Sequence, residues 1–245
     1  MSYRENSQLS TGTHPSIFLS IFQKCFSLLD QFFDLLFPKK CLACKKEGRA
    51  FCAECRGKIP LETSPFASDT ISVWQYDHPI LQKTLWKLKY RGKQELAHDL
   101  AESLYDKLME TLAENELFAN PAGNINERYI LIPIPIHKNR QKERGYNQSE
   151  LLAKELALLD PSLFALETNV LKKSKETPSQ VSVKNREQRL RNIHGSFTVT
   201  HPKKISGKNI IVVDDVTTTG ATLAEARKVL RKAGVKSVLC LTLAH

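Results

Sequence analysis

Two adjacent carboxylates followed by a run of hydroxyl side chains form the stretch of the sequence best suited to chemistry. Asp214 and Asp215 come directly after the apolar run 210–213, which is typical of a strand buried on both faces. Beyond residue 222 the apolar residues recur at helical spacing, so a helix is predicted to begin there. The turn between strand and helix consists of Thr217, Thr218, Thr219, Gly220, Ala221 and Thr222.

This order of strand, acidic pair, turn and helix start can hold a phosphorylated sugar. The start of a helix leaves backbone N–H groups without partners and favours anions, and Gly220 allows the chain to approach a phosphate closely. Carboxylates accept hydrogen bonds from sugar hydroxyls and can help to bind Mg²⁺. The turn lacks the residues of a P-loop or a dinucleotide-binding loop. A plain strand–helix junction without a ligand is the alternative.

Four cysteines are spaced as metal ligands. They form two C-x2-C pairs separated by seven residues, and four thiolates at this spacing suit Zn²⁺. Four protein ligands leave no open coordination position, so the predicted zinc is structural; an iron–sulfur cluster and a redox dithiol are the alternatives. The sequence suggests no disulfide framework, which fits a reducing cytosol. The ligands are Cys41, Cys44, Cys52 and Cys55.

Basic residues are unevenly distributed along this chain of 245 residues, whose formal net charge is +10. Clusters of positive charge indicate an anionic partner, either a phosphorylated sugar or a nucleic acid. Between residues 86 and 92, aromatic side chains alternate with cations, as on surfaces that bind single-stranded nucleic acid. A solvated helix face above buried aromatics is the alternative. The nucleic-acid candidates are Lys87, Lys89, Tyr90 and Arg91.

Two further basic segments are candidates for anion binding. A loop follows the apolar strand predicted at 129–135, and in an open α/β sheet ligands lie beyond the carboxyl ends of the strands. The loop should therefore face the same crevice as the acidic pair, where its cations can grip a pyrophosphate. The long polar segment 177–192 is predicted to be a lid over a charged substrate. The candidates are Lys138, Arg140 and Arg144 in the loop and Gln180 and Arg186 in the lid.

Strands and helices alternate along the chain, which predicts an α/β fold with a parallel doubly wound sheet. Strands are expected at 70–76, 129–135, 169–172, 195–200, 210–213 and 237–243. Helices are expected at 79–90, 96–117, 149–159 and after 222. The predicted organisation is a disordered tail (1–14), an amphipathic helix (15–38), a zinc module (39–60), a helical and strand-containing adaptor part (61–124) and the doubly wound domain (125–245). The polar stripe on helix 15–38 favours packing on protein over a membrane-surface or membrane-spanning helix.

The turn around the acidic pair resembles the 5-phosphoribosyl pyrophosphate (PRPP) motif of type I phosphoribosyltransferases. Five features in order also resemble the ComF family, over about residues 30–245. They are the four-cysteine knuckle, the Pro-x-Pro of 132–135, the sequence Arg-Gly-Tyr-Asn-Gln of 144–148, Thr-Pro-Ser-Gln of 177–180 with Arg186 and Asn192, and the turn 214–222. The Thr-rich form of this turn departs slightly from the family pattern.

This resemblance implies a phosphoribosyltransferase domain at 125–245 that binds PRPP together with Mg²⁺. Asp214 and Asp215 would be catalytic and bind the ribose hydroxyls, residues 217–222 would hold the 5′-phosphate, and Lys138 and Arg140 would lie near the pyrophosphate. Phosphoribosyl transfer is favoured, and a non-catalytic adaptor that binds single-stranded DNA is the alternative. Neither a general base nor the acceptor is identified by the sequence.

The family resemblance further implies a bacterial role in natural competence, in the uptake or handling of incoming single-stranded DNA. The expected partners are single-stranded DNA and competence DNA-import proteins such as a helicase or a DNA-processing protein. The expected location is cytoplasmic, with peripheral contact at the inner face of the membrane through residues 15–37 as a weaker expectation.

Overall fold

The structure is a computed structural model that describes residues 38–63, 69–90, 93–114, 128–174 and 193–245. The tail 1–14, nearly all of helix 15–38 and the predicted lid with Gln180 and Arg186 lie outside these residues, as does Arg91.

Five parallel strands form the central sheet, as the alternation of elements predicted. In chain order they are Thr70–Trp74 (β1), Tyr129–Pro133 (β2), Phe164–Leu166 (β3), Asn209–Val216 (β6) and Ser237–Ala244 (β7). Their spatial order is β1-β7-β6-β2-β3. Strand β6 lies at the centre, and its residues 210–213 are fully buried because helices and a ribbon cover both faces of the sheet.

Helices lie on both sides of this sheet. They are Ala53–Arg56 (α1), Pro79–Tyr90 (α2), Leu96–Glu114 (α3), Lys138–Arg144 (α4), Gln148–Leu159 (α5) and Ala221–Lys232 (α6), with a short 3-10 helix at Pro202–Lys204. On one face, Ile211 and Leu241 pack with residues of α2, α3, α5 and the cysteine module. On the other face, Val212 packs with residues of α6 and with Phe197. The doubly wound α/β architecture is therefore confirmed.

Two local expectations differ from the structure. The segment predicted as a basic loop forms helix α4, which His137 caps by accepting a hydrogen bond from the Asn139 N–H and which ends at Gly145 with φ 81°. The strands expected at 169–172 and 195–200 form a separate antiparallel ribbon, Leu171–Lys173 (β4) with Phe197–Val199 (β5). Only short stretches of this ribbon pair, so sequence pattern alone could not assign it to a sheet.

Part of the segment 61–124 belongs to the central sheet. Strand β1 pairs in parallel with β7, and the hydroxyls of Ser72 and Thr242 are 2.8 Å apart across this pair. Helix α3 packs against α5 and the same face of the sheet. Within the described ranges, residues on both sides of the boundary expected at residue 125 share one hydrophobic cluster. No helix among these residues is long and apolar enough to cross a membrane.

Candidate functional site

The acidic pair lies at the carboxyl end of β6, beside the start of α5 and the end of α2. Asp214 Oδ1 accepts hydrogen bonds from Ser149 Oγ at 2.8 Å and from the Asp215 backbone N–H at 2.9 Å. Asp215 Oδ1 accepts one from the Val216 N–H at 2.7 Å, and its Oδ2 forms an ion pair with Lys89 Nζ at 2.9 Å. Each carboxylate is therefore held in a fixed orientation by side-chain and backbone partners.

The surroundings of the pair shift the protonation of its members. Burial, and then the charge of Asp215, raise the pKa of Asp214 to about 7, although the Ser149 hydroxyl, the Asp215 N–H and Lys89 oppose this shift. Burial alone would lower the pKa of Lys89, but the charge and hydrogen bond of Asp215 outweigh burial and the pKa is raised. Lys89 therefore stays charged at neutral pH, whereas Asp214 titrates near neutrality.

The turn after β6 has the predicted form of a strand passing into a helix. The Thr217 N–H donates to the Ala244 carbonyl at 3.0 Å, which ties the start of the turn to the end of β7. Gly220 has φ 70°, a left-handed conformation that favours glycine, and helix α6 begins at Ala221. The Ala221 N–H lies 3.5 Å from Thr219 Oγ1. Residues 217–222 thus wrap the N-terminus of a twelve-residue helix, where an anion is stabilised.

Residues 144–149, here called the 144–149 clamp, join the elements around the acidic pair. Arg144 donates to Tyr90 Oη and to Gln148 Oε1, each at 2.9 Å, and its guanidinium lies 4.8 Å from the centre of the Tyr90 ring. Tyr146 Oη donates to the Leu88 carbonyl. Arg144, predicted as a pyrophosphate ligand, contacts the end of α2 through its guanidinium.

The other end of the clamp fixes the start of α5. Asn147 Nδ2 donates to the Ile134 carbonyl at 3.0 Å, and Asn147 Oδ1 accepts from the Ser149 N–H at 3.2 Å. This cap leaves the Ser149 hydroxyl directed at Asp214. The clamp therefore connects the ends of α2 and β2 with the acidic pair.

Cations from two elements lie near Asp214. Burial lowers the pKa of Lys173 in β4, the charge of Arg140 lowers it further, and Asp214 acts in the opposite direction. Lys173, Arg140 and Asp214 are therefore close enough for their charges to interact. Lys138 is exposed on α4 near Arg140. Sequence reasoning missed Lys173 and Ser149, whose short-range patterns resemble those of ordinary strand and helix residues.

The predicted nucleic-acid residues divide between two faces of α2. Lys89 points to the acidic pair, where it contacts Asp215. Tyr90 is 49% exposed and lies beside Trp86, which is 47% exposed, with ring centres 6.1 Å apart. Lys87 is half-buried on the same helix. The exposed aromatic pair and the acidic pair therefore both adjoin the end of α2.

The four cysteines form a second site, in a module that packs against α3. All four Sγ atoms lie within 4.8 Å of one another, and those of Cys44 and Cys52 are 3.7 Å apart. Zn–S bonds of about 2.3 Å in a tetrahedron require S···S distances of about 3.8 Å, so the donor set fits zinc. The Asp99 carboxylate fixes this module to α3 by accepting hydrogen bonds from the Phe51 N–H at 2.7 Å and from Arg49 at 3.0 Å.

Comparison with known proteins agrees with both sites. Residues 144–245 match the phosphoribosyl transferase domain model, and residues 32–66 match the double zinc ribbon domain model. Competence protein F of Haemophilus influenzae is 30% identical over 214 residues, which covers 81% of this chain and 86% of that protein. The chain belongs to the ComF family.

Two further relatives show the same extended similarity. Competence protein ComFC of Bacillus subtilis is 30% identical over 199 residues, covering 79% of this chain and 72% of that protein. DNA utilization protein YhgH of Salmonella typhimurium is 28% identical over 196 residues, covering 78% of each chain. The zinc ribbon match and the cysteine geometry support a structural zinc site in this ComF protein.

Proposed function

We propose that this ComF protein binds Mg–PRPP at the end of β6 and transfers its 5-phosphoribosyl group. The observation that carries the proposal is the acidic pair followed directly by the turn 217–222 at the start of α6. In this proposal Asp214 and Asp215 accept hydrogen bonds from the ribose hydroxyls, and the turn binds the 5′-phosphate. The match to a phosphoribosyl transferase domain supports the proposal.

The proposed reaction breaks the bond between C1 of the ribose and the pyrophosphate oxygen while an acceptor attacks C1. Charge develops on the leaving pyrophosphate, and Arg140, Lys138 and Lys173 supply fixed positive charge on the side of the site facing α4 and β4. Mg²⁺, when bound with the substrate, neutralises the pyrophosphate oxygens. The contribution of the protein is mainly to orient the ribose and to stabilise the departing charge.

The cellular role that we propose is the uptake or handling of incoming single-stranded DNA during natural competence. The names of three relatives, which describe competence and DNA utilization, support this role. The proposed partners are single-stranded DNA and DNA-import proteins such as a helicase or a DNA-processing protein. The proposed location is the cytoplasm, with contact at the inner membrane face.

Calorimetry with Mg–PRPP tests the proposed ligand. The wild-type protein should bind it, and the double variant Asp214→Ala/Asp215→Ala should lose binding, because both acceptors for the ribose hydroxyls are removed. Glu110→Ala is a matched control, since it removes an exposed carboxylate on α3 far along the chain from the turn. Absence of PRPP binding to the wild type would refute the proposal. Pyrophosphate release, measured with a panel of nucleobases and with single-stranded DNA, then tests transfer.

A second candidate function is that of a DNA-binding adaptor that performs no transfer. The exposed Trp86–Tyr90 pair on α2 favours it, because bases stack on aromatic rings and nearby lysines contact phosphates. Trp86→Ala should weaken binding of single-stranded DNA by about fivefold or more. Leu158→Ala, which truncates an exposed apolar side chain on α5, should have no effect. DNA binding that is undetectable or insensitive to salt would exclude this candidate.

A further inference from the structure

Lys89 lies outside the matched phosphoribosyl transferase range, yet its ammonium group contacts the acidic pair. Its Nζ is 2.9 Å from Asp215 Oδ2, and the two side chains are only 25% and 11% exposed. The matched range begins at Arg144, well beyond α2 in the chain. Helix α2 therefore adds a charged group to a site whose acidic pair and turn lie within the matched range.

Contacts on both sides of Lys89 hold it in this place. The preceding residue, Leu88, is fully buried, and its carbonyl accepts a hydrogen bond from Tyr146. The following residue, Tyr90, accepts a hydrogen bond from Arg144 through its hydroxyl. Both donors belong to the 144–149 clamp, which also holds Asp214 through Ser149. The 144–149 clamp thus fixes the positions of Lys89 and Asp214 relative to each other.

The charge of Lys89 has a clear electrostatic consequence. Two adjacent, partly buried carboxylates repel each other and also repel a phosphorylated ligand. Lys89 offsets the charge of Asp215 and forms an ion pair with its Oδ2. This contact fixes the orientation of the whole carboxylate. A ligand that carries both hydroxyls and phosphates needs carboxylates that accept hydrogen bonds from its hydroxyls without repelling its phosphates.

We infer that Lys89 is a positioning residue of the ribose subsite, which holds the Asp215 carboxylate for the sugar hydroxyls and offsets its charge against the phosphates. The inference rests on the proposed function. It makes α2 a functional part of the site rather than an adaptor that is separate from it. It also assigns Lys89, among the basic residues of α2, to the sugar and not to nucleic acid.

Binding of ligand fragments separates a positioning role from a purely structural one. Calorimetry would compare Mg–PRPP, ribose 5-phosphate and Mg–pyrophosphate on wild type, Lys89→Met and Lys89→Arg, with Lys83→Met as a control on the exposed face of the same helix. Lys89→Met should weaken PRPP and ribose 5-phosphate by the same factor, about tenfold or more, because a charge-assisted contact is lost. Mg–pyrophosphate has no hydroxyls for Asp215 to accept and its charge is reduced by the bound Mg²⁺, so its binding should weaken by only about twofold or less. Lys89→Arg should restore most of the affinity for the sugar ligands, and Lys83→Met should resemble wild type.

Two results would overturn the assignment of Lys89. One is a Lys89→Met protein that binds PRPP as tightly as the wild type, when the wild type itself binds PRPP. The other is an equal loss for all three ligands together with a lower melting temperature, which indicates damage to the fold. If wild type itself binds none of the three, the proposed function fails first, and the ribose-subsite assignment fails with it.

Discussion

The zinc module and the acidic-pair site differ in how far apart in the sequence their residues lie. The four cysteines lie within one short segment, and their geometry is set by two local knuckles. The acidic pair instead depends on Lys89 and Ser149, which come from two other helices far away in the sequence. The first site takes all its metal ligands from one short segment, whereas the second exists only when the sheet and the 144–149 clamp are complete.

The largest effect should come from removing one zinc ligand. Cys52→Ser should abolish zinc binding and unfold the module, because metal binding supplies about 10 kcal/mol or more to the folding of such small modules. Zinc content and thermal unfolding measure this change. Ala43→Ser, within the first knuckle but not a ligand, should keep its zinc. A Cys52→Ser protein with the melting temperature of wild type would show that the module does not depend on its metal.

A change at the joint between module and α3 should have an intermediate effect. Asp99 is 3% exposed and accepts hydrogen bonds from the Phe51 N–H and from Arg49. Asp99→Asn removes its charge, and because Arg49 is half-exposed we expect a loss of about 1–3 kcal/mol in the free energy of unfolding. Urea denaturation measures this loss. Zinc content and PRPP affinity should be unchanged; a matching fall in PRPP affinity would show that the two sites are coupled.

The acidic pair should respond to pH near neutrality. Because the pKa of Asp214 is raised to about 7, this carboxyl ionises between pH 6 and 8 and becomes a better acceptor for sugar hydroxyls. PRPP affinity should therefore rise by about tenfold over this range. Calorimetry at several pH values on wild type and Asp214→Asn separates this effect from titration of the ligand, since only the wild type retains the Asp214 contribution.

The raised pKa of Asp214 has the opposite effect on stability, because it makes the free energy of unfolding fall as pH rises. A carboxyl whose pKa is raised in the folded state binds its proton more tightly there than in the unfolded chain. Its contribution to the free energy of unfolding is therefore greatest below the unfolded pKa and falls as pH rises towards 7. Asp214→Asn should reduce this pH dependence in urea denaturation. A steeper dependence in the variant would contradict the assignment.

The smallest effect should come from the hydroxyl of Ser149. Ser149→Ala removes one hydrogen bond to Asp214, which corresponds to about 1 kcal/mol or roughly a fivefold loss of PRPP affinity. Ser162→Ala makes the same chemical change at an exposed serine that bonds to Asp160, and it should leave affinity unchanged. An unaltered affinity in Ser149→Ala would show that Asp214 is oriented by the backbone alone.

The sequence predicted those features whose cause is local. The spacing of the cysteines, the apolar run of β6 and the turn after Asp215 each carry their signal within about a dozen residues, and the fold class follows from the order of such segments. Helix α4 was missed because it has no apolar stripe and is defined by its caps at His137 and Gly145.

Tertiary contacts were beyond the reach of sequence patterns. The pairing of Lys89 with Asp215 depends on how α2 packs beside β6, and a lysine among other lysines carries no mark of it. The contact of Arg144 with Tyr90 depends in the same way on how α2 packs beside the 144–149 clamp. The placement of β1 at the edge of the sheet was likewise hidden, because its partner β7 is distant in the chain.

The pairing of β1 with β7 has a consequence for synthesis on the ribosome. Ser72 and Thr242, which meet across this pair, are 170 residues apart. Strand β1 therefore emerges long before its hydrogen-bonding partner exists, and closing so long a loop is slow. All four cysteines of the zinc module are synthesised much earlier than β7. We therefore expect the nascent chain to bind zinc before α2 and α3 have a complete sheet to pack against.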